Sequence, residues 1–455
     1  MALATGLIAL DLNGMASAAP TETVIHGFAN GRDGSLPDAG LVADRNGVLY
    51  GVVAYGGEGG GYTGGGVVFK LTPPAPGQKA WTEALIHSFG AVSHGVTPQG
   101  TLAMDGKGAL YGVTYEGGVG NCLFGSGCGV IFKLTPPGSG ETKWQEDVIY
   151  SFKGGSDGAN PTGGMIFDRN GALYGTTRYG GYGDGTVFRL APPAAGKKNW
   201  TETVLYSFTG KLSTGTVESE PRGSLIIDSG GALYGTTTGG AYGGGTVFKL
   251  APPATGQSAW TETLLLGFKD DKDGGDPEAG LIMDASGALY GTAEKGGFAN
   301  CPPSSFYPNG CGLVFKLTPP SKGSVWKESI LHTFKSGADG ANPYGGLIAD
   351  SKGALYSTTS NGGGHGCTIS GIVYGCGTIF KLSPPTAGQR AWTESILYKF
   401  PETTTNGHLY YPNGIEPLAG LVADGKGGLY GTANVGGYYG VGVVFELTDA
   451  GFSTP

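Results

Sequence analysis

Charge is scarce in this sequence of 455 residues. Lys and Arg number 28 against 36 Asp and Glu, charged residues make up 14%, and the net charge is −8. That deficit excludes a nucleic-acid partner, which would need basic stripes to displace counterions from phosphate. Long apolar runs are missing too, and none reaches the ~18–20 residues that span a bilayer as a helix. No stretch holds a sustained helical period. Proline is modest at 27, and the 91 glycines follow no three-residue period, which excludes collagen. With 39% hydrophobic residues the chain is too apolar and too weakly charged for a disordered acidic protein. No His-Glu-x-x-His motif occurs. The glycine clusters (Gly56-Gly57, Gly180-Gly181, Gly239-Gly240) precede strands rather than helices, so they are not phosphate cradles.

What is present is repetition. An Asp recurs at 44, 105, 168, 228, 284, 350 and 424, an interval of about 63 residues. Tyr50, Tyr111, Tyr174, Tyr234, Tyr290, Tyr356 and Tyr430 mark the same seven units, as do Phe69, Phe132, Phe188, Phe248, Phe315, Phe380 and Phe445. Each unit reads as four short strands. Leu-Ile-x-Asp is the first, and Asp-x-x-Gly turns it, the Asp bonding its own backbone and the Gly taking positive φ. Ala-Leu-Tyr-Gly-Thr-Thr and Gly-Thr-Val-Phe-Lys-Leu are the second and third. Pro-Pro then stops the ladder. A Trp-Thr-Glu segment, alternating apolar and polar, is the fourth.

Four antiparallel strands repeated seven times predict an all-β, seven-bladed β-propeller. The seventh unit ends after its third strand. Thr21-Glu22-Thr23-Val24-Ile25-His26-Gly27-Phe28 matches the outer strand Thr201–Phe208, so the N-terminal strand is expected to close the last blade. In that blade Glu446 replaces the usual Lys or Arg near Glu22. This predicts either a shifted register or a like-charge penalty.

The paired motifs Gly-x-Leu-Tyr-Gly-Thr-Thr and Gly-Thr-Val-Phe-Lys-Leu resemble the GloVer tandem-repeat proteins, bacterial extracellular chains. The resemblance runs from about Thr21 to Leu447. It implies a secreted protein and supplies no catalytic motif. Copies lapse where Ser357 follows Tyr356 and where Glu446 stands for Lys.

Residues 1–19 are apolar and end in small residues, and they read as a leader remnant or a disordered tail. Residues 20–448 form one propeller and 449–455 a C-terminal tail. The six cysteines pair locally in three units: Cys122 with Cys128, Cys301 with Cys311, and Cys367 with Cys376. Disulfides at these spacings place the chain in an oxidising compartment, either secreted or periplasmic and at the cell surface.

Positions identical in all copies serve the scaffold: the Asp and Tyr sets in turns, and the six Trp as outer-strand anchors rather than sugar platforms. Variation marks the site. Loops after the second strand and links to the next blade share one face and carry the length changes and all six cysteines. Two positions there are diversified, one just after Leu-Tyr-Gly-x-x and one just after the link proline. The second set is Asp38, Gln99, Thr162, Arg222, Glu278, Tyr344 and Leu418. Tyr55, Tyr115, Glu116, Arg178, Tyr179, Arg222, Glu278, Glu294, Lys295, Tyr344, Asn361 and His365 are the candidate binding residues. Rings, amides and charges together suit a glycan or another polar extracellular ligand.

A polysaccharide-cleaving enzyme on the same scaffold is the alternative. A lyase would pair Tyr179 with Arg178, or His365 with Lys295. A hydrolase would draw carboxylates ~5–10 Å apart from Glu116, Glu278 and Glu294. A structural or adhesion module is a third reading. Charged residues with shifted pKa values at the channel mouth favour an enzyme, and aromatics without them favour a binder. No cofactor and no metal are expected, and the chain is expected to be a monomer. The run Asp270–Asp276 offers oxygens of the kind calcium takes, but it reads as a turn.

Overall fold

The repeated Asp-x-x-Gly segment folds as a tight turn in every copy. Asp44 Oδ1 accepts from the amides of Asn46 (2.8 Å) and Val48 (3.0 Å), with Gly47 at φ 82°. Its second oxygen accepts the Tyr50 hydroxyl at 3.4 Å, and all seven copies repeat that bond, down to 2.9 Å for Tyr290 and Asp284. These carboxylates are therefore occupied locally. The computed structural model describes residues 19–454 apart from 59–63, 123–124, 210–217, 241–242, 270–271, 298–300, 302–309, 365, 370–371, 374 and 406–407. The proposed leader lies, but for residue 19, outside the described residues.

The four segments of each unit pair as an antiparallel blade. Blade one comprises Val42–Ala43, Leu49–Val53, Val67–Thr72 and Thr82–Ser88. Blades two to six follow within 96–151, 166–207, 218–267, 282–333 and 348–399. Blade seven joins Val422–Ala423, Leu429–Ala433 and Val443–Thr448 to the N-terminal strand Thr21–Gly27. The fold is the expected seven-bladed propeller with the expected closure.

Aromatic contacts seal the ring. At the end of each outer strand a Phe meets the third-strand Phe of the next blade edge-on, with centroids 5.1–5.3 Å apart. This holds at all seven seams, including Phe28–Phe69 and Phe400–Phe445 across the closing blade. Nearly all these rings are fully buried, each removing from water an apolar side chain worth about 1.5–3 kcal/mol. The tryptophans anchor the outer edge: Trp81, Trp144, Trp200, Trp326 and Trp392 stand edge-on to the repeated Tyr of the preceding blade at 5.6–6.4 Å. Blade seven has no Trp. The C-terminal tail supplies Phe452, 5.2 Å from Tyr356, whose hydroxyl also donates to Gly451 O at 3.2 Å.

The apparent clash of Glu446 with Glu22 dissolves in the pairing. Register is kept, with Glu22 opposite Leu447 and Thr23 opposite Glu446. Neighbouring residues of a strand face opposite sides, so the two carboxylates do not meet. In five other blades the Lys or Arg at this position sits 4.8–5.9 Å from the repeated Tyr ring rather than near the Glu. Glu446 instead accepts the Tyr430 hydroxyl at 2.9 Å.

The innermost strands converge on the axis. Added Cβ atoms at Gly223 and Gly345 would come within 2.6 Å of the backbone of Ala279 and Ala419, so these strands pack backbone to backbone. Second-strand threonines bind them across the seams: Thr236 to Ala279 O at 2.9 Å and Thr358 to Ala419 O at 3.0 Å. The inner strands thus surround a central channel. No helix among the described residues is long and apolar enough to cross a membrane.

Candidate functional site

The loop after the second strand and the link from the preceding blade do lie on one face. Short bridges tie them: Ser35 with Tyr55, Ala159 with Tyr179, Gly275 with Lys295, Ala341 with Asn361, and Ile415 with Val435. The axis opens there into a cavity of about 630 Å³. All seven residues that follow the link prolines line it, one from each blade.

Of the twelve candidate residues, Tyr115, Arg178, Arg222, Glu278 and Tyr344 line the cavity. Glu294, Lys295 and Tyr179 stand beside it. Arg178 lies over the Tyr179 ring at 5.0 Å, and the Tyr115 hydroxyl bonds both. Lys295 pairs with Asp276 at 2.5 Å. Tyr55 and Glu116 do not line the cavity. Asn361 is buried and spends its amide on Asn342 Oδ1 and Ser360 Oγ. His365 lies outside the described residues, as do Asp270 and Asp271 of the acidic run. The rest of that run behaves as a turn, with Asp273 accepting the Lys269 amide at 3.0 Å.

Charge gathers on one side of the mouth. Arg222 holds Glu278 through both carboxylate oxygens, at 3.0 and 3.1 Å, and also reaches Glu220 at 3.3 Å. Arg178 grips the same Glu220 oxygen at 2.8 and 3.0 Å. The Tyr344 hydroxyl donates to Glu278 at 3.3 Å. Burial raises the Glu278 pKa, opposed mainly by Arg222. Glu294 moves further. Burial, then the negative charges of Glu278 and Asp276, push its carboxyl up to about 7. Asp38 faces the open channel yet is crowded by protein, and desolvation lifts its carboxyl to about 6. Burial also raises the Tyr115 and Tyr344 hydroxyls.

Two members of the cluster were not foreseen: Glu220 and Asp276. Both precede a link proline. That position is left-handed in every blade, with φ between 47° and 59° at Leu36, Thr97, Asn160, Glu220, Asp276, Asn342 and Glu416. Non-glycine residues seldom adopt this conformation. A backbone bond to the preceding blade holds each one there, at 2.7–3.2 Å. The visible signal was a third position that varies from copy to copy, immediately before the proline.

Fold and site thus define a seven-bladed propeller with a charged pocket at its loop-bearing axial mouth. The chain belongs to the Gloeobacter/Verrucomicrobia repeat family, whose sequence profile matches residues 13–210 and 120–367. No curated protein matches the sequence. Among solved structures, a protein provisionally assigned as a 6-phosphogluconolactonase, from Bacteroides uniformis, is 12% identical. It aligns over 78% of this chain and 83% of its own, with a TM-score of 0.46. The polysaccharide lyase Uly1 is 11% identical over 90% and 89%, with a TM-score of 0.43. The aldose sugar dehydrogenase of Streptomyces coelicolor, solved with PQQ bound, is 13% identical over 80% and 99%, with a TM-score of 0.41. Likeness at this level carries nothing about activity.

Proposed function

We propose that the chain is an extracytoplasmic, monomeric carbohydrate-active protein whose channel mouth hydrolyses a neutral or amino-sugar glycan. One observation carries the reading: two neighbouring carboxyls, Glu278 in the cavity wall and Glu294 beside it, have environments that set them apart. Glu294, with a pKa of about 7, keeps a proton near neutrality and can give it to a glycosidic oxygen. Glu278, fixed by Arg222 Nη1 and the Tyr344 hydroxyl, is the partner carboxylate that orients water or attacks the sugar carbon. Tyr115 and Tyr179 offer rings for stacking.

The same geometry counts against a lyase acting on uronates. Such chemistry needs a cation free to neutralise the substrate carboxylate. Arg178 and Arg222 are committed to Glu220 and Glu278, and Lys295 to Asp276. Local negative charge exceeds positive. These pairs also support a second reading, glycan binding without turnover, because a locked rim can recognise a ligand by shape alone. Three disulfides support the extracytoplasmic location.

The deciding assay measures reducing-end release from neutral, amino-sugar and uronate polysaccharides, beside a glycan array. Cleavage of the first two classes, lost in Glu294→Gln and Glu278→Gln, is the expected result. Array binding without release by the parent leaves the binding reading. Cleavage confined to polyuronates overturns the assignment of substrate.

A further inference from the structure

Away from the channel, where blades five and six meet, three donor side chains converge. His332 comes from one outer strand, Asp339 from the link, and Glu394 from the next outer strand. His332 Nε2 lies 3.5 Å from Asp339 Oδ2 and 3.5 Å from Glu394 Oε1. One ligand atom from each residue falls within 4.8 Å of the others. Donors on bonds of roughly 2.0–2.2 Å around a tetrahedral cation stand about 3.4 Å apart. His332 Nε2 thus stands from each carboxylate at the separation of two ligands on one cation. His332 Nε2 and Glu394 Oε1 are sealed from solvent, and neither meets hydrogen-bond geometry. Two supports hold the set: the Lys335 amide donates to Asp339 at 2.8 Å, and the His332 ring stands edge-on to Phe334 at 4.7 Å.

The same socket recurs at other seams, and comparing them separates a ligand set from a structural latch. Between blades two and three the Tyr150 hydroxyl bonds both Asp157 and Glu202. Between blades six and seven, Tyr398 and Asn413 close on Glu22. A hydroxyl gives those carboxylates a proton. An imidazole also brings a lone pair for a metal. Two further seams carry histidine. His26 stands 3.9 Å from Asp33, and His87 stands 3.7 Å from Glu146, which His94 binds on its other oxygen at 2.7 Å. Among the described residues, the seam between blades five and six alone gathers three donor atoms into one group.

We propose that His332, Asp339 and Glu394 bind a divalent transition cation of the zinc and cobalt class, fastening blade five to blade six at the rim. One imidazole with two carboxylates suits such ions, and water would complete the shell.

The test titrates zinc into chelator-stripped full-length protein by calorimetry, then records the visible spectrum with cobalt. The variant is His332→Tyr, which installs the residue that blades two, three and six carry there (Tyr150, Tyr206, Tyr398). Glu394→Gln provides a second variant that keeps the shape of the seam. The parent should bind one zinc more than either variant, or bind it at least about tenfold more tightly, and its melting temperature should rise with zinc. His26→Tyr should leave zinc binding unchanged. No zinc uptake by the parent, or equal uptake by parent and both variants, overturns the site.

Discussion

Phe452 stands against Tyr356, ring to ring at 5.2 Å, where other seams place a tryptophan. The tail that delivers it is pinned on both sides, Ser453 O accepting the Ser351 amide at 2.9 Å and the Thr454 hydroxyl donating to Gly425 O at 3.1 Å. A seven-residue appendage thus repairs the one outer edge that the N-terminal strand cannot complete.

Phe452→Ala should therefore destabilise the ring, toward the lower end of the ~3–5 kcal/mol typical for removing a buried phenyl group. Phe452→Trp should be neutral or better. Urea unfolding checks both. An alanine variant with the parent's midpoint and slope would mean that the tail contributes nothing.

Deleting Thr21 to Phe28 should cost more. It removes the outer strand of blade seven, strips the Phe28–Phe69 contact and bares Val443–Thr448 as an edge. Expected are a melting point lower by several degrees and aggregation on warming. A deletion that melts within about a degree of the parent would show another route to closure.

The outer-strand glutamates predict an unusual pH response. Desolvation alone lifts Glu262 from 4.5 to about 7. A carboxyl raised on folding contributes stability that is fully present below its unfolded pKa and is lost as pH climbs through the folded one. For Glu262 that window runs from about 4.5 to about 7. Glu262→Gln, which cannot ionise, should gain on the parent between pH 5 and pH 8. His26 and His87, lowered by burial, act with the opposite sign, so the informative quantity is the difference between parent and variant. A difference that stays flat across that range would contradict the shift.

Binding should separate the two faces. Arg178→Ala and Tyr179→Ala should weaken glycan affinity by ~1–3 kcal/mol, about five- to hundred-fold. Lys107→Ala and Lys352→Ala, in the Asp-x-x-Gly turns of the other face, should leave it unchanged. Isothermal titration with a glycan taken from the array gives the measure. The reverse pattern would place the site on the wrong side of the ring.

Internal comparison of seven copies made much of this legible. Thr21–Phe28 matched an outer strand because closure needs the same alternation and the same terminal Phe. The residues after the link prolines were traced to the mouth because the chain leaves each outer strand at one place, and the proline fixes where. Glu220 and Asp276 escaped, since their position depends on a left-handed conformation that bonds between blades impose and local sequence does not announce. Asn361 looked like a ligand group because burial is invisible in a loop sequence. Glu446 reads as misplaced from spacing alone, because only the pairing shows that alternation turns it away from Glu22.

The closing blade also sets a schedule. Thr448 Oγ1 reaches Thr21 O, 427 positions away, at 3.4 Å. The first strand of the ring in chain order is thus the last to find its partner. Its ladder partner lies beyond six complete blades, so closing the ring is the contact of longest sequence separation in the fold. A chain cut short before Val443 leaves Thr21–Gly27 without its partner, an open β edge on an otherwise closed ring.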